Sequence, residues 1–258
     1  MVRFFAAPPD ISGGAIQLSA DDAVHIRSLR LRPSELFVVC DGEGSDYICR
    51  LGESGSAVAE IVEKRPSEGE PSIACSVYIA LAKGDRLDYA VQKSVELGAN
   101  EIILFPSARC VAIPGDVSNK TARLRRIALE TAKQCGRGRV PNVEALGSLA
   151  EAIGRAAGAG LALFLYECEV KLSLKQALEG YDALSQIADP NPADAVRESH
   201  SRVTVSIMTG PEGGFEPFEA ELAKAAGMLT VTLGSRILRC ETAPAAALAA
   251  LMFHTGNL

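Results

Sequence analysis

Two short segments combine glycine with charged side chains in a pattern typical of ligand-binding loops. The first, TGPEGGF at residues 209–215, follows an apolar run and precedes a helix that we expect to begin near Pro217. Three glycines within five residues allow the backbone to approach a ligand closely and to present amide groups to it. A tight turn with a purely structural role would show the same pattern, so this segment alone leaves both interpretations open.

The second segment is GSRILRCET at residues 234–242, between another apolar run and an alanine-rich helix. Arginine and glutamate side chains beside a helix N-terminus are costly to bury unless they are paired or functional. Arg239 and Glu241 are therefore candidates for chemistry, and a structural ion pair between them is the alternative. Cys240 as a nucleophile would need a paired base, and the neighbouring sequence offers none.

A concentrated basic stretch lies in the middle of an acidic chain. The formal net charge is −6, yet residues 120–139 carry +6 by themselves, so the remaining residues carry −12. Seven cations accompany a single acid, Glu130; they are Lys120, Arg123, Arg125, Arg126, Lys133, Arg137 and Arg139. Helical spacing gives this stretch one apolar face and one cationic face. It predicts a phosphate-binding surface, and a solvated helix balanced by acidic neighbours is the alternative.

Several motifs that would indicate other chemistry are missing. The sequence has no G-x-x-x-x-G-K-[ST] motif, which argues against a P-loop NTPase. Gly136-Arg137-Gly138 lacks the third glycine of a dinucleotide-binding fingerprint, which argues against a nicotinamide-dependent oxidoreductase. The three histidines and seven cysteines show no metal-ligand spacing, so we expect no metal.

The elements that must position these residues change character near residue 70. Before it, short strand candidates separated by turn residues suggest a small barrel; they are Arg3–Ala6, Ala15–Leu18, Leu36–Cys40, Tyr47–Leu51 and Ala57–Lys64. After it, strands alternate with glycine-bearing loops and helices, which predicts an α/β fold with a mainly parallel sheet. These strands are Ile73–Leu81, Glu101–Phe105, Leu161–Tyr166, Val203–Met208 and Leu229–Leu233. A polar segment near residues 184–202 is predicted as a surface loop.

The composition is that of an ordinary globular protein, with 258 residues, 48% of them hydrophobic and 22% charged. Its longest apolar run, Ala243–Phe253, is shorter than the ~20 residues that span a bilayer, so we expect no membrane partner. The beginning of the sequence, MVRFFAAPPD, lacks the apolar core of a secretory signal. We therefore expect a cytoplasmic protein.

Taken together, these segments resemble the SPOUT class of S-adenosylmethionine-dependent methyltransferases, and within it the 16S ribosomal RNA uracil-N3 methyltransferases. TGPEGGF and LGSRILRCETAPAAAL are similar to the paired signature loops of this class. Similar segments in the same order cover almost the whole chain; they are RFF, HIRSLRLRPSE, KGDRLDYAVQKSVELGA, ARC, RLRRIALETAKQCGRGRVP and LFLYE. One departure is Leu124, where family members commonly carry tryptophan.

The resemblance implies a PUA-like β-barrel for RNA recognition over residues 1–70 and a SPOUT methyltransferase domain over residues 71–258. The second domain would be an α/β domain with a mainly parallel sheet and a deep trefoil knot. A homodimer built around the knotted region is implied as well. The alanines of the last helix would permit close approach across such a dimer, and burial within one subunit is the alternative.

The implied activity is methylation of N3 of a specific uridine in 16S rRNA of the small ribosomal subunit, with S-adenosyl-L-methionine as cofactor. We expect Arg239 to contact the target base, and Glu241 either to orient Arg239 or to accept a proton. By resemblance, the cofactor would lie among Leu165, Tyr166, Glu167, Thr209, Gly210, Glu212, Gly213, Gly214, Leu233, Gly234, Ile237, Leu238 and Thr242. The RNA would be positioned by Arg3, Arg27, Arg30, Arg32, Arg123, Arg126, Arg137 and Arg139.

Two other functions stay open from the sequence. A non-catalytic RNA-binding or ribosome-assembly module could have the same shape, and cofactor binding would separate it from an enzyme. The same methyl transfer could act on transfer RNA instead.

Overall fold

The computed structural model of the protein describes residues 1–32, 34–52, 57–110, 117–184 and 202–258. They form two compact units, one of residues 1–70 with 129–140 and one of residues 71–128 with 141–258. The first unit thus includes residues 129–140 in addition to the predicted residues 1–70. The prediction left these residues out because a helical sequence pattern does not show where one unit ends and the next begins. The predicted loop near 184–202 falls mostly on residues 185–201, which lie outside the described residues.

The first unit is built on a six-stranded sheet in the order β1-β4-β5-β6-β3-β2. The strands are β1 (Arg3–Phe5), β2 (Ile11–Ser12), β3 (Ala15–Gln17), β4 (Phe37–Cys40), β5 (Ser45–Leu51) and β6 (Val58–Pro66). β1 pairs with β4 in parallel, and the other neighbouring strands are antiparallel. All five predicted strands are present, and β2 is one that the sequence pattern missed.

One helix, α1 (Ala20–Leu29), packs into the first unit. It begins after Ser19, whose hydroxyl accepts a hydrogen bond from the Asp22 N–H at 3.1 Å. Such an N-cap stabilises a helix by about 1 kcal/mol. The core beneath it contains Phe4 and Phe37, whose rings meet edge to face with centroids 5.7 Å apart.

The second unit is an α/β structure on a six-stranded sheet in the order β12-β10-β11-β7-β8-β9, in which every pair is parallel. Its strands are β7 (Ala74–Ala80), β8 (Glu101–Phe105), β9 (Asn142–Ala145), β10 (Leu161–Leu165), β11 (Thr204–Thr209) and β12 (Leu229–Val231). The helices are α2 (Arg86–Glu96), α3 (Val117–Cys135, its last residues in the first unit), α4 (Leu149–Ala156), α5 (Leu174–Glu179), α6 (Pro217–Ala225) and α7 (Thr242–His254). The predicted fold class, α/β with a mainly parallel sheet, is confirmed.

Continuous apolar runs form the central strands, as predicted, since helices cover both faces of a parallel sheet. Every residue of β10 is buried, and so is every residue of β11 after Thr204. The sequence pattern missed β9, which lies at the edge of the sheet and has a single buried residue, Val143. It also missed α4 and the six-residue α5.

The described residues contain neither a membrane-spanning helix nor a cluster of metal ligands. No helix among them combines the length and apolar character needed to cross a bilayer. Nor do they bring three or more His, Cys, Asp or Glu side chains together at a point where a metal ion would fit. None of the seven cysteines, all of which lie within the described residues, forms a disulfide bond, and burial raises the pKa of Cys49 to about 12.

Candidate active site

A cavity of about 550 Å³ opens in the second unit at the carboxyl ends of four adjacent strands, β12, β10, β11 and β7. Its walls come from residues 165–167, 209–214, 231–234 and 236–241, together with Ala243 and with Arg86 at the start of α2. Because these strands are parallel, the segments that follow them meet at one edge of the sheet, where open α/β sheets bind ligands. The volume is within the range of sites for small organic molecules.

Most residues predicted to hold a cofactor line this cavity, on both of the loops singled out above. They are Leu165, Tyr166, Glu167, Thr209, Gly210, Glu212, Gly213, Gly214, Leu233, Gly234, Ile237 and Leu238, and the predicted catalytic pair Arg239 and Glu241 joins them. Thr242 is the exception, because it begins α7 and does not belong to the lining. The lining also contains residues that were not predicted as site residues: Arg86, Pro211, Val231, Thr232, Arg236, Cys240 and Ala243.

The loop of residues 209–215 is anchored by Phe215, whose side chain is fully buried. Its ring centroid lies 4.2 Å from that of Phe164 on β10 and 6.4 Å from that of Phe105 on β8, with which it is stacked. A Cβ atom at Gly210 would lie 3.1 Å from the Phe215 ring, so there is little room for a side chain. The hydrophobic anchor thus fixes the glycines that precede it along the cavity wall.

A carboxylate from the neighbouring strand completes this anchor. Glu167, just after β10, accepts a hydrogen bond through Oε1 from the Phe215 N–H at 3.2 Å. Gly214 has a φ of +68°, which favours glycine, and a Cβ there would overlap the Glu167 carboxylate. Glycine is therefore required at 214 for two independent reasons.

Further contacts hold the loop from outside the cavity. The Arg109 guanidinium donates hydrogen bonds to the Gly213 carbonyl at 2.9 Å and to the Glu216 carboxylate at 2.8 Å. The buried carboxylate of Glu219 accepts from the N–H groups of Ala108 at 2.9 Å and of Glu216 at 2.7 Å. These bonds tie the segment after β8 to the start of α6, and so fix the direction in which the loop enters its helix.

Glu212 is held on the cavity wall by the segment that joins β7 to α2. Its Oε1 accepts from the Arg86 guanidinium at 2.7 Å and from the Lys83 N–H at 2.9 Å. Partial burial alone would raise the pKa of Glu212, but these hydrogen bonds outweigh it and lower the pKa below its ordinary value. Glu212 is therefore a carboxylate at neutral pH and is already bound to a cation.

The second loop presents a carboxylate between two arginines. Glu241 Oε1 lies 4.0 Å from the Arg239 guanidinium, and Oε2 lies 3.9 Å from the Arg86 guanidinium. The Arg239 side chain is 81% exposed, so its charge is free to meet a ligand. Burial and a hydrogen bond to Glu241 raise the pKa of Cys240 to about 12, which keeps it a protonated thiol and a poor nucleophile at neutral pH.

Two of the arginines predicted to bind RNA form ion pairs with buried or nearly buried carboxylates. Arg3 makes a bidentate ion pair with Asp46, with NH1 2.8 Å from Oδ1 and NH2 2.9 Å from Oδ2, and the Asp46 side chain is only 3% exposed. Arg137 is buried and pairs with Glu70 at 2.7 Å. Both pairs lie within the first unit and use the guanidinium groups internally, so the RNA-binding set proposed below leaves these two residues out.

Replacing Arg3 with alanine is expected to lower the free energy of unfolding by about 3–5 kcal/mol, because the buried Asp46 carboxylate would lose its counter-charge. Arg32, which is exposed, is the matched control, and its replacement by alanine should change stability by about 0.5 kcal/mol or less. Urea denaturation of both variants measures the difference. Equal stabilities would contradict the structural role given to Arg3.

The remaining six predicted arginines are exposed; they are Arg27, Arg30, Arg32, Arg123, Arg126 and Arg139. Arg123 pairs with Asp88 at 2.6 Å, and Arg139 donates to the Glu43 carbonyl at 2.7 Å. Leu124, at the position where tryptophan is common in the resembling family, is fully buried. Its side chain serves packing, so this position does not stack on a base.

The fold and the site together define an α/β protein with a preformed small-molecule cavity between loops at neighbouring strand ends. An exposed guanidinium stands at the cavity beside a carboxylate. The chain belongs to the family described as RNA methyltransferase domain, whose model matches residues 69–252. That match covers the parallel sheet and every segment that lines the cavity.

Curated relatives of similar length are named ribosomal RNA small subunit methyltransferase E. The relative from Bacillus subtilis is 32% identical over 244 residues, which is 92% of this chain and 90% of that protein. The relative from Mycobacterium bovis is 30% identical over 97% of this chain and 90% of its own length. The crystal structure of the Neisseria gonorrhoeae protein of that name, bound to S-adenosyl methionine, is 30% identical and has a TM-score of 0.76. The structural match covers 98% of this chain and 97% of the Neisseria gonorrhoeae chain.

Proposed function

We propose that this protein transfers the methyl group of S-adenosylmethionine to N3 of a uridine in 16S rRNA of the small ribosomal subunit. The observation that carries the proposal is that the loops 209–215 and 234–242 contribute to the wall of the same cavity. The exposed Arg239 belongs to that wall. The family membership supports RNA methylation, and the similar Neisseria gonorrhoeae protein binds this cofactor.

The cavity residues fit the chemistry of the cofactor. Glycines at 210, 213 and 214 leave backbone close to the cavity, where it can bind the polar adenosine and methionine groups. Glu167 uses Oε1 for the Phe215 N–H, which leaves Oε2 to accept from an ammonium or a ribose hydroxyl. The apolar side chains of Leu165, Leu233 and Leu238 would cover the adenine. When bound, S-adenosylmethionine supplies a methyl group already activated by a sulfonium.

The protein must then make uridine N3 nucleophilic and hold it in place. N3 carries a proton that must leave, because the anion is the better nucleophile. A guanidinium beside the uracil carbonyls favours that anion, and each unit of pKa that it moves is worth about 1.4 kcal/mol. We assign this role to Arg239. Glu241 either orients Arg239 or accepts the proton.

RNA recognition and assembly are part of the same proposal. Residues 1–70 would act as a PUA-like barrel for RNA recognition, and residues 71–258 as a SPOUT domain with a trefoil knot. The protein would act in the cytoplasm as a homodimer in ribosome biogenesis. Phosphate contacts would come from the exposed arginines of each unit: Arg27, Arg30, Arg32, Arg123, Arg126 and Arg139. An accessible uridine, in a loop or flipped from its stack, is the expected target.

Removing an exposed phosphate-binding arginine is expected to weaken RNA binding uniformly and to change its salt dependence. For Arg126→Ala, the slope of log K against log salt should become shallower by about 1. Arg50→Ala is the control, because Arg50 is also exposed but is paired with Glu60 and lies outside the proposed set. Filter binding to a 16S rRNA fragment at several salt concentrations measures both. Identical slopes for the two variants would remove Arg126 from the RNA-binding set.

The proposed function is tested by methyl transfer in vitro. The purified protein is incubated with methyl-labelled S-adenosylmethionine and, in parallel, with 16S rRNA, small ribosomal subunits or transfer RNA. Nucleoside mass spectrometry should find N3-methyluridine in ribosomal RNA alone. Label in transfer RNA would show that transfer RNA is the substrate instead. RNA binding with no cofactor affinity would identify a non-catalytic module.

A further inference from the structure

Arg86 lies beside carboxylates from two of the loops that line the cavity. It is the first residue of α2, after β7, and its NH1 donates to Glu212 Oε1 at 2.7 Å. Its Nε lies 3.9 Å from Glu241 Oε2. Glu212 belongs to the loop after β11, and Glu241 to the loop after β12, two strands away in the sheet. One guanidinium therefore connects both loops across the cavity wall.

The two carboxylates have different additional partners. Glu212 is further fixed by the Lys83 N–H at 2.9 Å, so the Arg86–Glu212 pair is firmly attached to the segment before α2. Glu241 Oε2 accepts a hydrogen bond from the Cys240 thiol at 3.3 Å, and its two arginines lie farther away, Arg86 at 3.9 Å from Oε2 and Arg239 at 4.0 Å from Oε1. These longer separations are attractions without a direct hydrogen bond. A shift of Arg86 would thus be passed to Arg239 through Glu241.

We propose that Arg86 is a positioning residue for methyl transfer: it holds Glu212 and Glu241 together and through Glu241 keeps Arg239 aligned with the cavity. This inference rests on the proposed function. Arg86 acts here through other residues. The planar guanidinium suits this task because it presents several N–H groups in fixed directions, whereas a lysine ammonium is a single point charge.

The contacts of Arg86 contribute little to folding. Its side chain is 43% exposed, and exposed ion pairs contribute little to the free energy of unfolding. Arg86→Ala should consequently fold normally, which allows its effect on the reaction to be measured. If alignment of Arg239 depends on Arg86, a displacement of about 1 Å at the reacting groups lowers the rate by about 10²-fold.

The chain offers a matched control in Arg155. Its side chain is 40% exposed, and it also joins two carboxylates, Glu101 at 2.6 Å and Glu144. Arg155 does not belong to the cavity lining. Arg155→Ala removes the same type of side chain and the same number of ionic partners. Any effect common to both variants is therefore structural, and any effect confined to Arg86 belongs to the site.

The test compares the wild type, Arg86→Ala, Arg86→Lys and Arg155→Ala by single-turnover methyl transfer, cofactor titration and amide hydrogen exchange. We expect Arg86→Ala to lose about 10²-fold in rate constant with cofactor affinity nearly unchanged, and Arg86→Lys to recover only part of the rate. Exchange should become faster in residues 209–215 and 234–242 of Arg86→Ala alone. Arg155→Ala should match the wild type in rate and in exchange at both loops.

The positioning role is overturned if Arg86→Ala behaves as Arg155→Ala does, or if its whole defect is in cofactor affinity. It is also overturned if Arg86→Lys restores the full rate, since one point charge would then be sufficient. The exchange measurement needs no RNA. If the wild type methylated no RNA while exchange still linked the two loops through Arg86, the proposed function would fail and the coupling itself would stand.

Discussion

Arg239→Ala is expected to lower the rate constant for methyl transfer by about 10²–10³-fold, the usual cost of removing one preorganised group that stabilises developing charge. The affinity for S-adenosylmethionine should be unchanged, because the Arg239 side chain is 81% exposed and its one ionic partner among the described residues is Glu241. Stability should be unchanged for the same reason. Single-turnover kinetics at saturating RNA and cofactor, with calorimetric titration of the cofactor, measures the two quantities separately.

Glu241→Gln distinguishes the two roles left open for Glu241. If Glu241 only orients Arg239, the amide keeps part of that contact, and the rate falls less than in Arg239→Ala. If Glu241 accepts the N3 proton, the loss is at least as large and the dependence of the rate on pH changes. Near-wild-type turnover of Arg239→Ala with intact cofactor binding would refute the assignment of Arg239 to the target base.

Gly214→Ala is expected to abolish measurable cofactor binding. The new Cβ would overlap the Glu167 carboxylate, so the glutamate or the loop must move, and both line the cavity. The backbone conformation adds a cost, since φ is +68° and a left-handed conformation disfavours a non-glycine residue by about 1–2 kcal/mol. Calorimetric titration with S-adenosylmethionine measures the loss.

Gly227→Ala separates the overlap from the backbone strain. Gly227 also has a positive φ, +92°, but its Cβ would meet nothing within 4 Å, and it does not belong to the cavity lining. This variant should lose stability and keep cofactor binding. Equal cofactor affinity in the two variants would show that Glu167 and the loop do not shape the binding site.

The sequence predicted the site well where the information is local. Apolar runs of strand length gave the central strands, and glycine-rich segments directly after two of them gave the loops. The parallel arrangement then brings those loops together without any further specification. Phe215, at the end of the first loop, is an example of such local information, because one buried aromatic residue next to glycines fixes the local path of the chain.

Contacts between distant residues could not be predicted in this way. Arg86 and Glu212 are separated by 126 positions, and no spacing in the sequence connects them. Arg3 and Arg32 are indistinguishable as residue types, yet one is paired with the buried Asp46 and the other is exposed. A cation in a sequence shows where charge is available, whereas its role depends on whether a carboxylate lies within reach in the folded chain.

Nucleoside mass spectrometry of 16S rRNA from cells with and without this protein tests the proposed reaction most directly. Loss of N3-methyluridine in the cells that lack it, restored by the wild-type protein and not by Arg239→Ala, is the predicted result. An unchanged amount of N3-methyluridine in the absence of the protein would contradict it.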